Sequence, residues 1–189
     1  MALLIALADT GGLWDQSQVT AALSDSADAY VSTTLDFLLR HAVADGKLIV
    51  SDPAQAQAES GLIILALGKH GARELNYSSD VDLVVFYEAA RARFAANVEP
   101  GPFYVRLTKS LSRILSERTG DGYVLRVDLR LRPDPGSTSV AVSLPAALTY
   151  YETLGQNWER AAMIKARPIA GDIALGEHFI VEMRPFIWR

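Results

Sequence analysis

Apolar positions along the chain fall into blocks whose spacing separates strands from helices. Leu62-Ile63-Ile64-Leu65-Ala66-Leu67 and Leu83-Val84-Val85-Phe86-Tyr87 are short unbroken apolar runs with the length and β-branched content of buried strands. They predict strands over about residues 61–67 and 82–87. Between residues 15 and 43 the pattern changes period. Leu35, Leu38, Leu39, Ala42 and Val43 recur at three- and four-residue spacing, which predicts a long helix, with residues 24–27 as a candidate break into two. Phe103, Leu107, Leu111, Ile114 and Leu115 mark a second amphipathic helix ending near Thr119-Gly120. Residues 123–132 alternate strictly, with Leu125, Val127, Leu129 and Leu131 on one face, and predict a third strand. A short helix is expected near residues 72–75. Further helices are expected from Ser143, which can cap with Pro145 in the first turn, across residues 158–167 with Asn157 as cap, and from Ile173 to about Met183 behind Asp172. Residues 51–60, 88–101 and 133–139 read as loops.

These elements predict an α/β chain: a short mixed sheet flanked by helices, with a helical segment over 1–60, a catalytic core over 61–142 and a second helical segment over 143–189. Residues 1–12 read as the end of a helix whose beginning lies outside the chain, and the last residues, Phe186-Ile187-Trp188-Arg189, stop abruptly on aromatic side chains. The sequence is therefore expected to be a fragment.

Composition changes the picture by exclusion. The chain has 189 residues, half of them hydrophobic and 21% charged, which is ordinary for a folded globular domain. A net charge of −4 gives no reason to expect general nucleic-acid binding. With no cysteine, disulfides, thiolate catalysis and cysteine-ligated zinc are excluded, and a reducing, cytoplasmic setting is compatible. The apolar opening of nine residues lacks a basic leader and is too short to span a bilayer, so no membrane association is expected. His41, His70 and His178 show no ligand spacing and read as surface or supporting residues.

The chemistry concentrates in residues 68–82, Gly-Lys-His-Gly-Ala-Arg-Glu-Leu-Asn-Tyr-Ser-Ser-Asp-Val-Asp, which must connect the first two strands. Asp80 and Asp82 fall where the second strand begins. Alternation points both carboxylates to one face and Val81 and Leu83 to the other. Two anions side by side call for a cation, and carboxylate oxygens are hard ligands suited to Mg²⁺ or Mn²⁺. On the third strand Arg126, Asp128, Arg130 and Arg132 share the polar face. Asp128 is there a candidate third ligand, and Arg130 and Arg132 are candidate guanidinium forks for phosphate oxygens. Arg126 has a structural ion pair as its alternative role.

Gly68, then Lys69, ten further residues and Asp80-Val81-Asp82 resemble the signature of the nucleotidyltransferase superfamily. The longer string, residues 66–83, is similar to that of the bifunctional glutamine synthetase adenylyltransferase and adenylyl-removing enzymes of bacteria. So are Val127-Asp128-Leu129-Arg130-Leu131-Arg132-Pro133, Tyr150-Tyr151 and the run from Gly155-Gln156-Asn157-Trp158-Glu159-Arg160 to Lys165-Ala166-Arg167. That last run resembles the adenylyl-removing half of the family. The resemblance implies phosphorolysis: inorganic phosphate attacks an adenylyl-tyrosine of glutamine synthetase and releases ADP. It implies Mg²⁺ on Asp80, Asp82 and Asp128, phosphate held by Gly68, Lys69, Ser79, Arg130 and Arg132, and the PII signal protein as regulator. Lys69 departs from the serine or glycine usual in the wider superfamily. Two other readings are ATP-dependent adenylylation with the same carboxylates, and a catalytically idle domain that binds a regulator.

Overall fold

The computed structural model describes residues 1–188. Its centre is β2 (Leu62–Ala66) paired antiparallel to β3 (Val81–Tyr87), in the register Leu62 opposite Tyr87 through Ala66 opposite Leu83. β5 (Val127–Asp128) and β6 (Ala141–Ser143) both run parallel to β3, along the start and the end of the same edge. β7 (Arg167–Gly171) pairs antiparallel with the other edge of β2, giving the order β5-β3-β2-β7. A separate two-stranded ribbon joins β1 (Leu48–Ile49) to β4 (Arg93–Phe94).

Helices cover both faces, which is why β2 and β3 read as continuous apolar runs. On one face Leu62, Ile64, Val81, Leu83 and Val85 pack against Val31, Leu35 and Leu39 of α2 (Gln16–Ala44) and Tyr104, Leu107 and Leu111 of α4 (Pro100–Ser116). On the other, Ile63, Leu65, Val84 and Phe86 meet Ala147 and Tyr151 of α5 (Leu144–Thr153), Phe179 of α7 (Ile173–Glu182) and Phe186 of α8 (Arg184–Ile187). α1 (Ala2–Thr10) buries only Ile5 and leaves Leu3, Leu4 and Leu7 exposed. Among the described residues no helix is long and apolar enough to cross a membrane.

Several elements differ from the sequence expectation for identifiable reasons. α2 is one unbroken helix of 29 residues, opened by a capping box between Asp15 and Gln18. Ser24 and Ser26 do not break it because their hydroxyls donate back to the carbonyls of Thr20 and Ala22, each at 2.8 Å. The short helix after β2 is α3 (Gly68–Gly71), earlier than expected. The strand expected over 123–132 shrinks to the two residues of β5. Upstream, the amides of Val124 and Leu125 both donate to the Leu115 carbonyl at the end of α4, so that stretch is tied to a helix rather than to a ladder. Downstream, the Arg130 amide donates to Asp128 Oδ1 at 2.8 Å and turns the chain. As a result Leu125, Val127 and Leu129 lie with the α2 and α4 cluster, while Leu131 lies with the other.

The helix expected across 158–167 stops at Met163: α6 spans Asn157–Met163 and is capped by Gln156 and Glu159 rather than by Asn157. The chain then enters β7. Pro168 biases the preceding residue to extended backbone and removes a donor that an edge strand can spare. It sits opposite Leu65, where the β2–β7 register shifts. Residues 88–101 likewise hold β4 and the first turn of α4 rather than a bare loop.

Candidate active site

The site forms where β2 hands over to β3. Gly68 takes φ +53°, a left-handed conformation, to turn the chain from Leu67 into α3. The Leu67 amide donates to the Asp82 carbonyl at 2.9 Å, closing the two strands at the turn. A Cβ added at Gly68 would stand 2.7 Å from Asp82 Oδ2, so glycine backbone and carboxylate are in contact. At the other end of α3 a Cβ on Gly71 would stand 2.1 Å from the Lys165 carbonyl oxygen, where the segment leading into β7 passes.

Asp82 and Asp128 are register partners in the parallel β3–β5 pair, next to Val81 opposite Val127. Their side chains therefore share one face of adjacent strands. That crowding has an electrostatic signature. Burial, followed by the like charges of Asp128 and Asp80, pushes the Asp82 carboxyl above its ordinary range, against weaker opposing pulls from His70 and Arg130. Asp128 moves the other way: its hydrogen bonds from Arg130, at 2.9–3.0 Å from Nε, outweigh burial and hold it low. Neighbouring carboxyls pushed apart in this way are a feature of functional sites.

Asp80 lies one step before β3, half exposed, and is paired with Arg126, whose guanidinium also donates to the Ser78 carbonyl. Among the described residues no three acidic or histidine side chains stand together at metal-ligand separation, and Asp80 and Asp128 are each paired with an arginine. The donor chemistry nonetheless fits a hard divalent cation. All three candidates supply carboxylate oxygens, and a cation would offset both the burial and the like charges that push Asp82 up.

The predicted phosphate ligands divide. Gly68 and Arg130 lie against Asp82 and Asp128 respectively. Lys69 is exposed and lines an open cleft with Gln16, Ser17, Thr20, Glu74 and Asn76. Ser79 is engaged in its own loop: its hydroxyl donates to Asn76 Oδ1 at 3.0 Å and accepts from the Asn76 amide at 3.1 Å. Arg132 is turned into the loop that follows it, donating to the carbonyls of Leu129 at 2.8 Å and Pro135 at 2.7 Å.

Beneath the turn lies a network the sequence reading missed. Asp28 of α2 accepts from His70 Nε2 at 2.8 Å and from Arg167 Nη1 at 2.6 Å. These partners lie 42 and 139 residues away in sequence, so no spacing betrays them. The available signal is an acid on the α2 stripe that carries Ser24, Ala27 and Val31 to the core. Burial opposes ionisation of Asp28, yet the bonds from His70 and Arg167 hold its carboxyl below the usual range. A carboxyl depressed in the folded state adds stability that is full above about pH 4, the unfolded value, and is lost as pH falls through the lower folded value. Asp28→Asn is therefore expected to lower stability at neutral pH and to flatten the acid limb of a melting-temperature profile. An unchanged acid limb would show that the network is electrostatically silent.

Gly68→Ala separates turn from carboxylate. A left-handed alanine costs about 1–2 kcal/mol, or about 2–8 °C in a domain of this size. The new methyl also pushes Asp82 aside, so Mn²⁺ affinity is expected to fall about 10-fold. Calorimetric titration and a thermal melt on the same preparation read both effects.

A glycine-led turn between antiparallel strands, an aspartate at the start of the second strand and another on its parallel neighbour define a nucleotidyltransferase-like core. The model of the glutamate-ammonia ligase adenylyltransferase family matches residues 1–181, and the chain belongs to that family. It is 59% identical over 188 residues to the bifunctional glutamine synthetase adenylyltransferase/adenylyl-removing enzyme of Xanthobacter autotrophicus. It is 58% identical to the protein of that name from a Bradyrhizobium strain and 57% identical to one from Rhodopseudomonas palustris. Each match covers the whole of this chain but 19% of the relative, so the chain spans about a fifth of the length of these curated relatives.

Proposed function

We propose that this chain is a nucleotidyltransferase domain that removes AMP from an adenylylated tyrosine of glutamine synthetase by phosphorolysis, in the control of nitrogen assimilation. The observation that carries the reading is the pairing of Asp82 with Asp128 beside the Gly68 turn. The direction, removal rather than transfer, rests on the likeness of residues 155–165 to the adenylyl-removing half of the family.

In the reaction an oxygen of inorganic phosphate bonds to the adenylyl phosphorus as the bond from phosphorus to the tyrosine oxygen breaks. ADP leaves, and the phosphate proton ends on the phenol. Mg²⁺, or Mn²⁺ in its place, held by Asp80, Asp82 and Asp128, would neutralise charge at the phosphorus and stabilise the leaving oxygen. The chain's own groups bind and orient. The Gly68 backbone lets a phosphate oxygen come close without meeting a side chain. Arg130, exposed and anchored on Asp128, stands ready to exchange part of that ion pair for phosphate oxygens. Arg132 braces the 133–139 loop, and from there its charge contributes to the field that draws the anion in. Lys69 is proposed to reach phosphate through its long exposed side chain on α3, and Ser79 by giving up its bonds to Asn76 on the loop that carries Asp80.

Product analysis tests the direction. Incubation with adenylylated glutamine synthetase, Mg²⁺ and phosphate is expected to yield ADP. Pyrophosphate formed from ATP and the unmodified synthetase, with no ADP in the first incubation, would reverse the assignment to transfer.

A further inference from the structure

Within α3 the sequence Gly-Lys-His-Gly offers the interior a single side chain. His70 is fully buried, while Lys69 is exposed and the flanking glycines have no side chain to pack. Apolar packing, which seats α2, α4, α5 and α7 against the sheet, is therefore absent from α3 itself. What seats it instead is polar. His70 Nε2 meets Asp28 Oδ1 at 2.8 Å. An ionised carboxylate can only accept, so the ring proton sits on Nε2. Arg167 binds both Asp28 oxygens, at 2.6 and 3.2 Å, and its Nη2 also donates to the His70 carbonyl at 3.3 Å. Side chain and backbone of the same residue are thus held at once, from α2 on one side and β7 on the other. Two residues before Arg167, the Lys165 carbonyl presses on Gly71.

We infer that Asp28, His70 and Arg167 are positioning residues that fix the Gly68 turn against Asp82, and so set the orientation of that carboxylate toward a divalent cation. The inference rests on the metal role proposed for Asp82. It follows from geometry: the strut ends at His70, two residues from Gly68, and a Cβ on Gly68 would fall 2.7 Å from Asp82 Oδ2. Any slack in the strut becomes a shift of the carboxylate. His70 is fully buried, and the Asp28 and Arg167 side chains are only about a quarter exposed, at 21% and 27%.

The test measures Mn²⁺ affinity by electron paramagnetic resonance, with Mn²⁺ alone as probe, beside a thermal melt for each variant. Asp28→Asn keeps the volume of the side chain but turns a donor toward the strut. His70→Leu keeps the bulk and removes the bond. His70→Gln keeps an N–H near the place of Nε2. Loss of outer contacts that orient a ligand typically costs 10- to 100-fold in metal affinity. Asp28→Asn and His70→Leu are expected to lose that much while remaining folded, and His70→Gln to recover most of it. Lower melting temperatures with wild-type Mn²⁺ affinity in both disrupted variants would overturn the inference and leave the network purely structural. Asp82→Asn is the control for the reading underneath. If it binds Mn²⁺ as the wild type does, the metal role of Asp82 fails and the inference falls with it. If it alone loses the ion, only the strut is refuted.

Discussion

Asp82→Asn is expected to abolish tight Mn²⁺ binding and to reduce metal-dependent turnover by about 10²- to 10³-fold. The substitution is nearly isosteric, so the β2–β3 ladder and the bond from the Leu67 amide to the Asp82 carbonyl are retained. What changes is charge. Asp82 is the half-buried member of the acidic group, its carboxyl pushed up first by burial and then by Asp128 and Asp80. In the absence of a cation that repulsion is a local cost, so the amide should leave thermal stability unchanged or raise it slightly while the metal site is lost. Such opposite movements of stability and binding distinguish a functional carboxylate from a structural one. Isothermal titration with Mn²⁺ and a melt of the same sample give both numbers. A variant that melts lower and binds the ion as well as the wild type contradicts the assignment.

Among the substitutions around the turn, Gly71→Ala carries the largest expected effect on stability. Its Cβ would stand 2.1 Å from the Lys165 carbonyl oxygen and 2.7 Å from that of Ala66, and both neighbours are backbone. No rotamer change relieves such a clash. Either α3 lifts from the sheet or the segment entering β7 moves away. Overpacking of this kind costs about 3 kcal/mol or more, which in a chain of this size corresponds to about 6–12 °C of melting temperature. Because Arg167 follows Lys165 by two residues, displacement of that segment should also loosen the Arg167 bonds to Asp28. The expected result is a markedly lower melting temperature together with weaker Mn²⁺ binding. Gly68→Ala, whose new methyl meets only the end of a side chain, should by contrast lose affinity with a smaller loss of stability.

The parts of the fold that are legible in the sequence are those with enough residues to establish a period. β2 and β3 announce themselves as apolar runs, α4 by the spacing of Phe103, Leu107 and Leu111, and α7 by its Asp172 cap, whose side chain accepts from the Leu175 amide at 3.0 Å. The placement of Val81 and Leu83 on the face opposite Asp82 follows from alternation alone, and Val81 and Leu83 do lie with the α2 and α4 cluster. β7 was hidden because its five residues, Arg-Pro-Ile-Ala-Gly, begin with a charge and a proline and make their case only through pairing with β2. In residues 123–132 alternation is present, but hydrogen bonds to the end of α4 and the turn made at Asp128 limit the ladder to two residues. Asp80 and Asp82 draw notice by their spacing at one strand, and Asp128 by the alternation of its own segment; the residues that hold the turn in place carry no such mark. Asp28 meets His70 and Arg167 across three elements, and nothing in the local sequence of α2 names either partner.

The measurement that bears most directly on the account is ADP release from adenylylated glutamine synthetase in the presence of Mg²⁺ and inorganic phosphate, followed for the intact chain and for the double variant Asp80→Asn with Asp82→Asn. Phosphate-dependent ADP is expected with the intact chain and none with the variant. A folded chain that binds the metal yet releases no ADP, or a variant that releases it as fast as the intact chain, would contradict the proposed function.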